Sequence, residues 1–189
     1  MDGLDAYSPE EKRELLDLAD RSIRHGLEHG RPAPVDPAAF PPRLGEPRAL
    51  FVTLNRLGEL RGCIGTLEAG LPLAAACARY AFAAAFQDPR FPPLQAFELD
   101  GLQAHLSVLT PRIPLSFSSE GDLISQLRPG KDGLVLEEGR HQATFLPSVW
   151  ETLPDASEFV RHLKRKAGLP DTHWSPALRA FRYEAVSIP

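Results

Sequence analysis

Cysteine is scarce in this chain: among 189 residues only Cys63 and Cys77 carry a thiol. Two thiols do not make the dense framework that staples small secreted domains, so both are expected to be reduced, and the cytoplasm is the expected compartment. No apolar run approaches the roughly 18 residues of a membrane span, which excludes a membrane from the reading. The opening stretch MDGLDAYSPEEKRELLDLAD has neither the basic n-region nor the apolar h-region of a signal peptide. A formal net charge of -4 argues against a dedicated nucleic-acid binder. Motifs are missing too: there is no closed zinc pattern, no HExxH, no GxGxxG and no GxSxG. PGKDG at 129–133 lacks the upstream glycine and the Ser/Thr of a phosphate loop and reads as a turn into a strand. No metal is expected, and no motif points to a cofactor.

What remains is an ordinary globular composition, 43% hydrophobic and 24% charged, on a chain long enough to bury about two-thirds of its unfolded surface without staples. The 19 prolines cluster at 32–47, 89–93 and 111–114, where they read as stiff connectors. Ser8 followed by Pro9, Glu10 and Glu11 predicts a capped helix over about 9–25, with Gly26 and Gly30 as its stops. RALFVTLNRLGELRGCIGTL predicts a hairpin. An alanine-rich helix over about 72–87 follows, small enough in its side chains to lie close to a sheet. GLQAHLSVLTP predicts a strand, SEGDLISQL a short helix capped by Ser119, and DGLVLEEGRHQATFLP a second hairpin turning near Glu138 and Gly139. DASEFVRHLKRKAGL predicts an amphipathic helix with Gly168 at its C-cap and a solvated basic end, and ALRAFRYEAVSI a final strand. Hairpins and helices in this order predict an α+β fold: a mainly antiparallel sheet with flanking helices, in a single domain over 8–187, with a break near 111–114 where a second, smaller lobe would begin.

The chemistry-bearing stretch is LRGCIGTL at 60–67. In a strand Arg61 and Cys63 point to one face, and a three-residue loop, Leu57 to Glu59, sets Thr53 opposite Cys63 and Asn55 opposite Arg61. Thr53, Asn55, Arg61 and Cys63 are then expected on one face, where a guanidinium near the sulfur favours thiolate. Gly62 and Gly65 leave room for a ligand or another backbone. The opposing possibility is a packed structural sulfur beside a glycine that marks a bulge. His105 in QAHLSV is a candidate base for the thiol. Arg90 in DPRFPP either reaches an anionic ligand or ties its turn to Asp88. His25 and His29 have i,i+4 spacing, but Gly26 between them weakens the helix that would hold a metal.

LRGCIGTL, followed in order by DPRFPPL, SVLTP, PGKDGLVLEEG, ATFLPSVW and FVRHLKRKAGLP, resembles the AMMECR-type domain family, which includes protein A of the AmmeMemoRadiSam systems. The resemblance implies an α+β domain of unassigned activity, a functional role for the motif cysteine, here Cys63, and Memo-type and radical-SAM proteins as partners. Two positions depart from the family pattern: His105 stands where an acidic residue is frequent, and Lys164 where a cysteine is frequent. The expected function is a thiol-dependent enzyme, or part of one, acting through Cys63 on a small polar or anionic substrate. Substrate-binding roles fall to Arg61, Thr53, Asn55, Arg90 and His105. The alternative is a non-catalytic ligand-binding or protein-interaction module.

Overall fold

The computed structural model describes residues 7–189 as two units, residues 7–110 with 186–189 and residues 111–185. It is an α+β fold.

In the first unit, α1 (Pro9–His29) opens on a capping box between Ser8 and Glu11, as the sequence predicts. It runs one turn further than expected. Gly26 is no stop but a contact point, since a Cβ there would lie 2.5 Å from the Phe86 ring. Gly30, with φ +65°, ends the helix. The sheet carries β1 (Ala49–Arg56), β2 (Glu59–Thr66), β3 (Leu102–Leu109) and β8 (Ala185–Ile188) in the order β2-β1-β3-β8, so β2 is an edge strand. Leu50, Val52 and Leu54 of β1 are fully buried in a core shared with α1 and with α2 (Leu73–Phe86), whose alanines 74, 76, 78, 81, 84 and 85 allow the helix to lie close.

The β1–β2 turn differs from the expected one. Arg56 pairs with Glu59 across two residues, Leu57 at φ 52° and Gly58 at φ 87°, the double left-handed geometry of a tight hairpin turn. Register then shifts by one residue: Asn55 faces Leu60, Leu54 faces Gly62, and Arg61 is left over as a bulge. The bulge supplies the odd residue that a three-residue loop would have supplied, so Thr53 still faces Cys63 and Val52 still faces Ile64. Asn55, however, is not opposite Arg61.

The second unit holds a sheet of order β4-β7-β5-β6, from β4 (Ile113–Leu115), β5 (Gly133–Glu138), β6 (His141–Phe145) and β7 (Arg179–Tyr183). β4 with β7, β5 with β6 and β5 with β7 all pair antiparallel. Helices α3 (Glu120–Ser125), capped by Ser119, and α4 (Ala156–Lys166), capped by Asp155, complete it. Phe159 and Leu163 of α4 pack with Leu134, Leu136 and Trp150 in a separate core. The predicted last strand is two, β7 and β8, broken at Glu184. The basic end of α4 is not wholly solvated: Lys164 is fully buried, its ammonium donating to Glu120 at 2.8 Å and to the His173 carbonyl at 3.3 Å.

Candidate functional site

Residues opposite each other on neighbouring strands point to the same face. Cys63 on β2 faces Thr53 on β1, and Thr53 faces His105 on β3, so the three form one row across the sheet. The row lies on the face away from Leu50, Val52 and Leu54, and each of its members is half-buried. Thr53 Oγ1 is 3.3 Å from Cys63 Sγ. A hydroxyl can donate to a thiolate or accept from a thiol, so this contact serves either form of the sulfur. Asn55 stands in the next row, between Leu60 and Gln103. His105 also borders a cavity of about 410 Å³ with Leu16, Asp20, Ile23 and Pro189, a cavity whose walls do not include Cys63.

Because β2 is an edge strand, a backbone N–H pointing away from β1 has no ladder partner. The Cys63 N–H finds one in a side chain, donating to Asp88 Oδ2 at 2.9 Å. Asp88 follows the C-cap of α2, and the Leu94 N–H bond to the Ala85 carbonyl, 2.9 Å, folds the proline-rich segment back along the helix and brings the carboxylate to the strand edge. Asp88 is buried and also accepts from the Arg90 backbone N–H and, through both oxygens, from the Arg90 guanidinium at 3.0 and 2.7 Å. The guanidinium holds the Asp88 carboxyl far below the usual carboxylate range, and the two N–H bonds add to this against the opposing effect of burial. The Arg90 side chain remains 55% exposed. Its own pKa is raised chiefly by its bond to Asp88. The guanidinium and the Cys63 N–H donate to the same oxygen, Asp88 Oδ2, so the cation stands near the Cys63 backbone.

Arg61 plays a different part from the expected one. Only 8% exposed, it donates to Glu98 through Nε at 2.7 Å and through one terminal nitrogen at 3.0 Å, and to the Pro92 carbonyl at 2.9 Å. Glu98 is fixed in turn by the Gln95 N–H, and the Arg61 contact draws its pKa down to about 2. The Phe91 ring lies near both guanidinia, 5.7 Å from Arg61 and 5.5 Å from Arg90. Arg61 therefore anchors the bulge to the 91–98 segment, while Arg90 shares Asp88 Oδ2 with the Cys63 backbone. Asp88 and Glu98 escaped the sequence reading as site residues; Gln95 and Glu98, spaced as a capping box, were the available signal for the second.

The glycines make room for backbone. A Cβ on Gly62 would lie 2.1 Å from the Ala84 carbonyl oxygen of α2, and one on Gly65 2.3 Å from the Leu50 oxygen. Cys77 is a packed thiol: buried in the first core, it donates to the Leu15 carbonyl at 3.2 Å, and burial pushes its pKa up to about 12. His25 and His29 stack with ring centres 4.2 Å apart. Among the described residues no group of three or more His, Cys, Asp or Glu side chains is arranged to hold a metal ion. No helix among them is long and apolar enough to cross a membrane.

The pattern of the AMMECR1 family matches residues 16–188. The chain belongs to the AMMECR1 family. A protein of Methanothermobacter thermautotrophicus is 40% identical to this AMMECR1 chain over 184 residues, covering 95% of each. A protein of Thermofilum pendens is 38% identical over 94% of this chain and 89% of its own. The crystal structure of protein PH0010 from Pyrococcus horikoshii has the same AMMECR1 fold, with a TM-score of 0.87 and 34% identity over 95% of this chain and 91% of that one. Function in the family is unassigned.

Proposed function

We propose that this AMMECR1 protein is a thiol-dependent enzyme, or a component of one, that acts on a small polar or anionic substrate through Cys63. The observation that supports this is the contrast between its two cysteines. Cys77 is buried in the core, whereas Cys63 is half-buried, contacted by a hydroxyl, and held at its backbone by Asp88, whose Oδ2 also binds the exposed cation of Arg90. In this reading Cys63 is the nucleophile or thiol carrier and Thr53 orients the sulfur. Arg90 receives the substrate's negative charge, and His105 and Asn55 stand in the same and the adjoining row. Arg61 shapes the strand from behind through Glu98.

Two alkylating agents of similar size, one anionic and one neutral, test the anion preference. Iodoacetate is expected to gain on iodoacetamide at Cys63 in the native protein, and the ratio of the two rates to fall about fivefold in Arg90→Gln, as one partly screened charge contact allows. An unchanged ratio contradicts the assignment of Arg90.

A second reading is favoured by three exposed apolar side chains, Leu57 (76%), Leu60 and Phe97 (73%), at the β1–β2 hairpin end and the adjoining 3-10 turn (Ala96–Leu99). Here the chain is an interaction module for proteins of the Memo and radical-SAM types. Pull-down against such partners separates the two readings. Association that survives Cys63→Ser and is lost in Phe97→Ser supports the module, and equal binding by Phe97→Ser and native protein removes it.

A further inference from the structure

The second unit contains a cavity of about 540 Å³ that shares no residue with the Cys63 row. Its size falls in the range of small-molecule sites. One wall is an aromatic pair, Phe117 and Trp174, with ring centres 5.5 Å apart and planes tilted by 60°. Leu178 and Phe181 supply further apolar lining, beside Ser116. The chain's two tryptophans are in opposite states. Trp150 is buried, stacked on Phe159, and donates its indole N–H to the Asp132 carbonyl. Trp174 is 37% exposed in the cavity wall. A large ring left in partial contact with water on a concave surface is a ready stacking platform.

Arg179 is the one charged residue lining the cavity, where no carboxylate appears. Its side chain is 70% exposed and one terminal nitrogen donates to Glu137 Oε2 at 3.0 Å. Glu137 already accepts from Arg112 at 3.0 Å through its other oxygen. Two guanidinia thus share one carboxylate, leaving one positive charge, and Arg179 is the member of the pair that lines the cavity. The Arg179 guanidinium also lies 5.8 Å from the centre of the Phe181 ring, which presents it beside the apolar lining.

We infer that this cavity binds a small ligand made of a planar aromatic ring and one anionic group, the ring against Phe117 and Trp174 and the anion on Arg179. A nucleoside monophosphate and an aromatic carboxylate share this chemistry. Titration of the full chain with adenosine monophosphate and, separately, with benzoate, followed by tryptophan fluorescence, distinguishes them. At least one is expected to give a saturable change that disappears in Trp174→Phe, whose remaining tryptophan is far less accessible. Arg179→Gln is expected to weaken binding about tenfold, the cost of losing a charge-assisted hydrogen bond, while Arg179→Lys retains most of the affinity. An unchanged melting temperature of both Arg179 variants shows that the unit still folds; if Arg179→Gln does not fold, the Arg179→Lys comparison is replaced by Phe117→Ala, expected to weaken binding comparably. The inference is overturned if neither aromatic anion gives a saturable change. It is also overturned if adenosine or inorganic phosphate alone binds as tightly as the combined ligand, or if the Trp174→Phe signal is unaltered.

Discussion

Gly62→Ala is expected to destabilise the protein by about 3 kcal/mol or more, the upper end of the usual cost of overpacking. The added methyl would sit 2.1 Å from the Ala84 carbonyl oxygen and 3.0 Å from its carbon, both backbone atoms of α2 that no rotamer change can move aside. The helix must shift away from β2 or the strand must bow, and either movement opens the core beneath Leu54 and Ala81. Gly70→Ala is the matched control: nothing lies within 4 Å of its added Cβ, so a change within about 0.5 kcal/mol is expected. Urea denaturation of the two variants checks the difference, and equal midpoints would contradict the close approach of helix to strand.

Glu98→Ala is expected to cost about 3–5 kcal/mol, because it strands the buried Arg61 guanidinium without its counter-charge. The double change Arg61→Met with Glu98→Leu should recover most of that loss, since the penalty lies in the uncompensated charge rather than in the missing contact. The same pair sets an acid limit. The Glu98 pKa falls from 4.5 to about 2 on folding, so its stabilisation is whole above about pH 4.5 and is lost as pH falls toward 2. Asp88, also held low, acts with the same sign. Native protein should therefore lose stability progressively below about pH 4.5, and Glu98→Ala should lose less over that interval. Parallel pH curves for the two proteins would show that Glu98 is not linked to folding.

The alternation of apolar and polar residues in LFVTLNR and LRGCIG is enough to pair Thr53 with Cys63, because a slip of one residue would set Leu54 opposite Arg61 and Val52 opposite Cys63, mixing charge into the face that Leu50, Val52 and Leu54 bury. The turn that delivers the register was not legible. A leucine at φ 52° occupies a position where Asn or Gly would have signalled a two-residue turn, and the compensating bulge falls at Arg61, which reads as an ordinary strand residue. Gly26 misled for a related reason: in sequence it is a breaker, whereas in the fold it makes space for the Phe82 and Phe86 rings and the helix passes through. Lys164 was hidden inside a charge run, and its burial depends on Glu120, 44 positions away. Of the site, the sulfur and the hydroxyl could be placed from local pattern, whereas the histidine was legible only as a strand residue, its row being set by the long-range pairing of β1 with β3. The tie of Arg90 to Asp88 was legible in DPRFPP, but the bonds of Asp88 to Cys63 and of Glu98 to Arg61 depend on how the segment after α2 folds back, a long-range outcome that no local spacing encodes.

Mass-spectrometric mapping of thiol alkylation in the native protein tests most directly whether Cys63 is built for chemistry, with Cys77 as an internal reference and a cysteine in an unstructured peptide as an external one. At neutral pH Cys63 should be modified faster than the peptide thiol while Cys77 stays untouched until the chain unfolds. Modification of Cys63 no faster than the peptide, or protection equal to that of Cys77, would contradict the account.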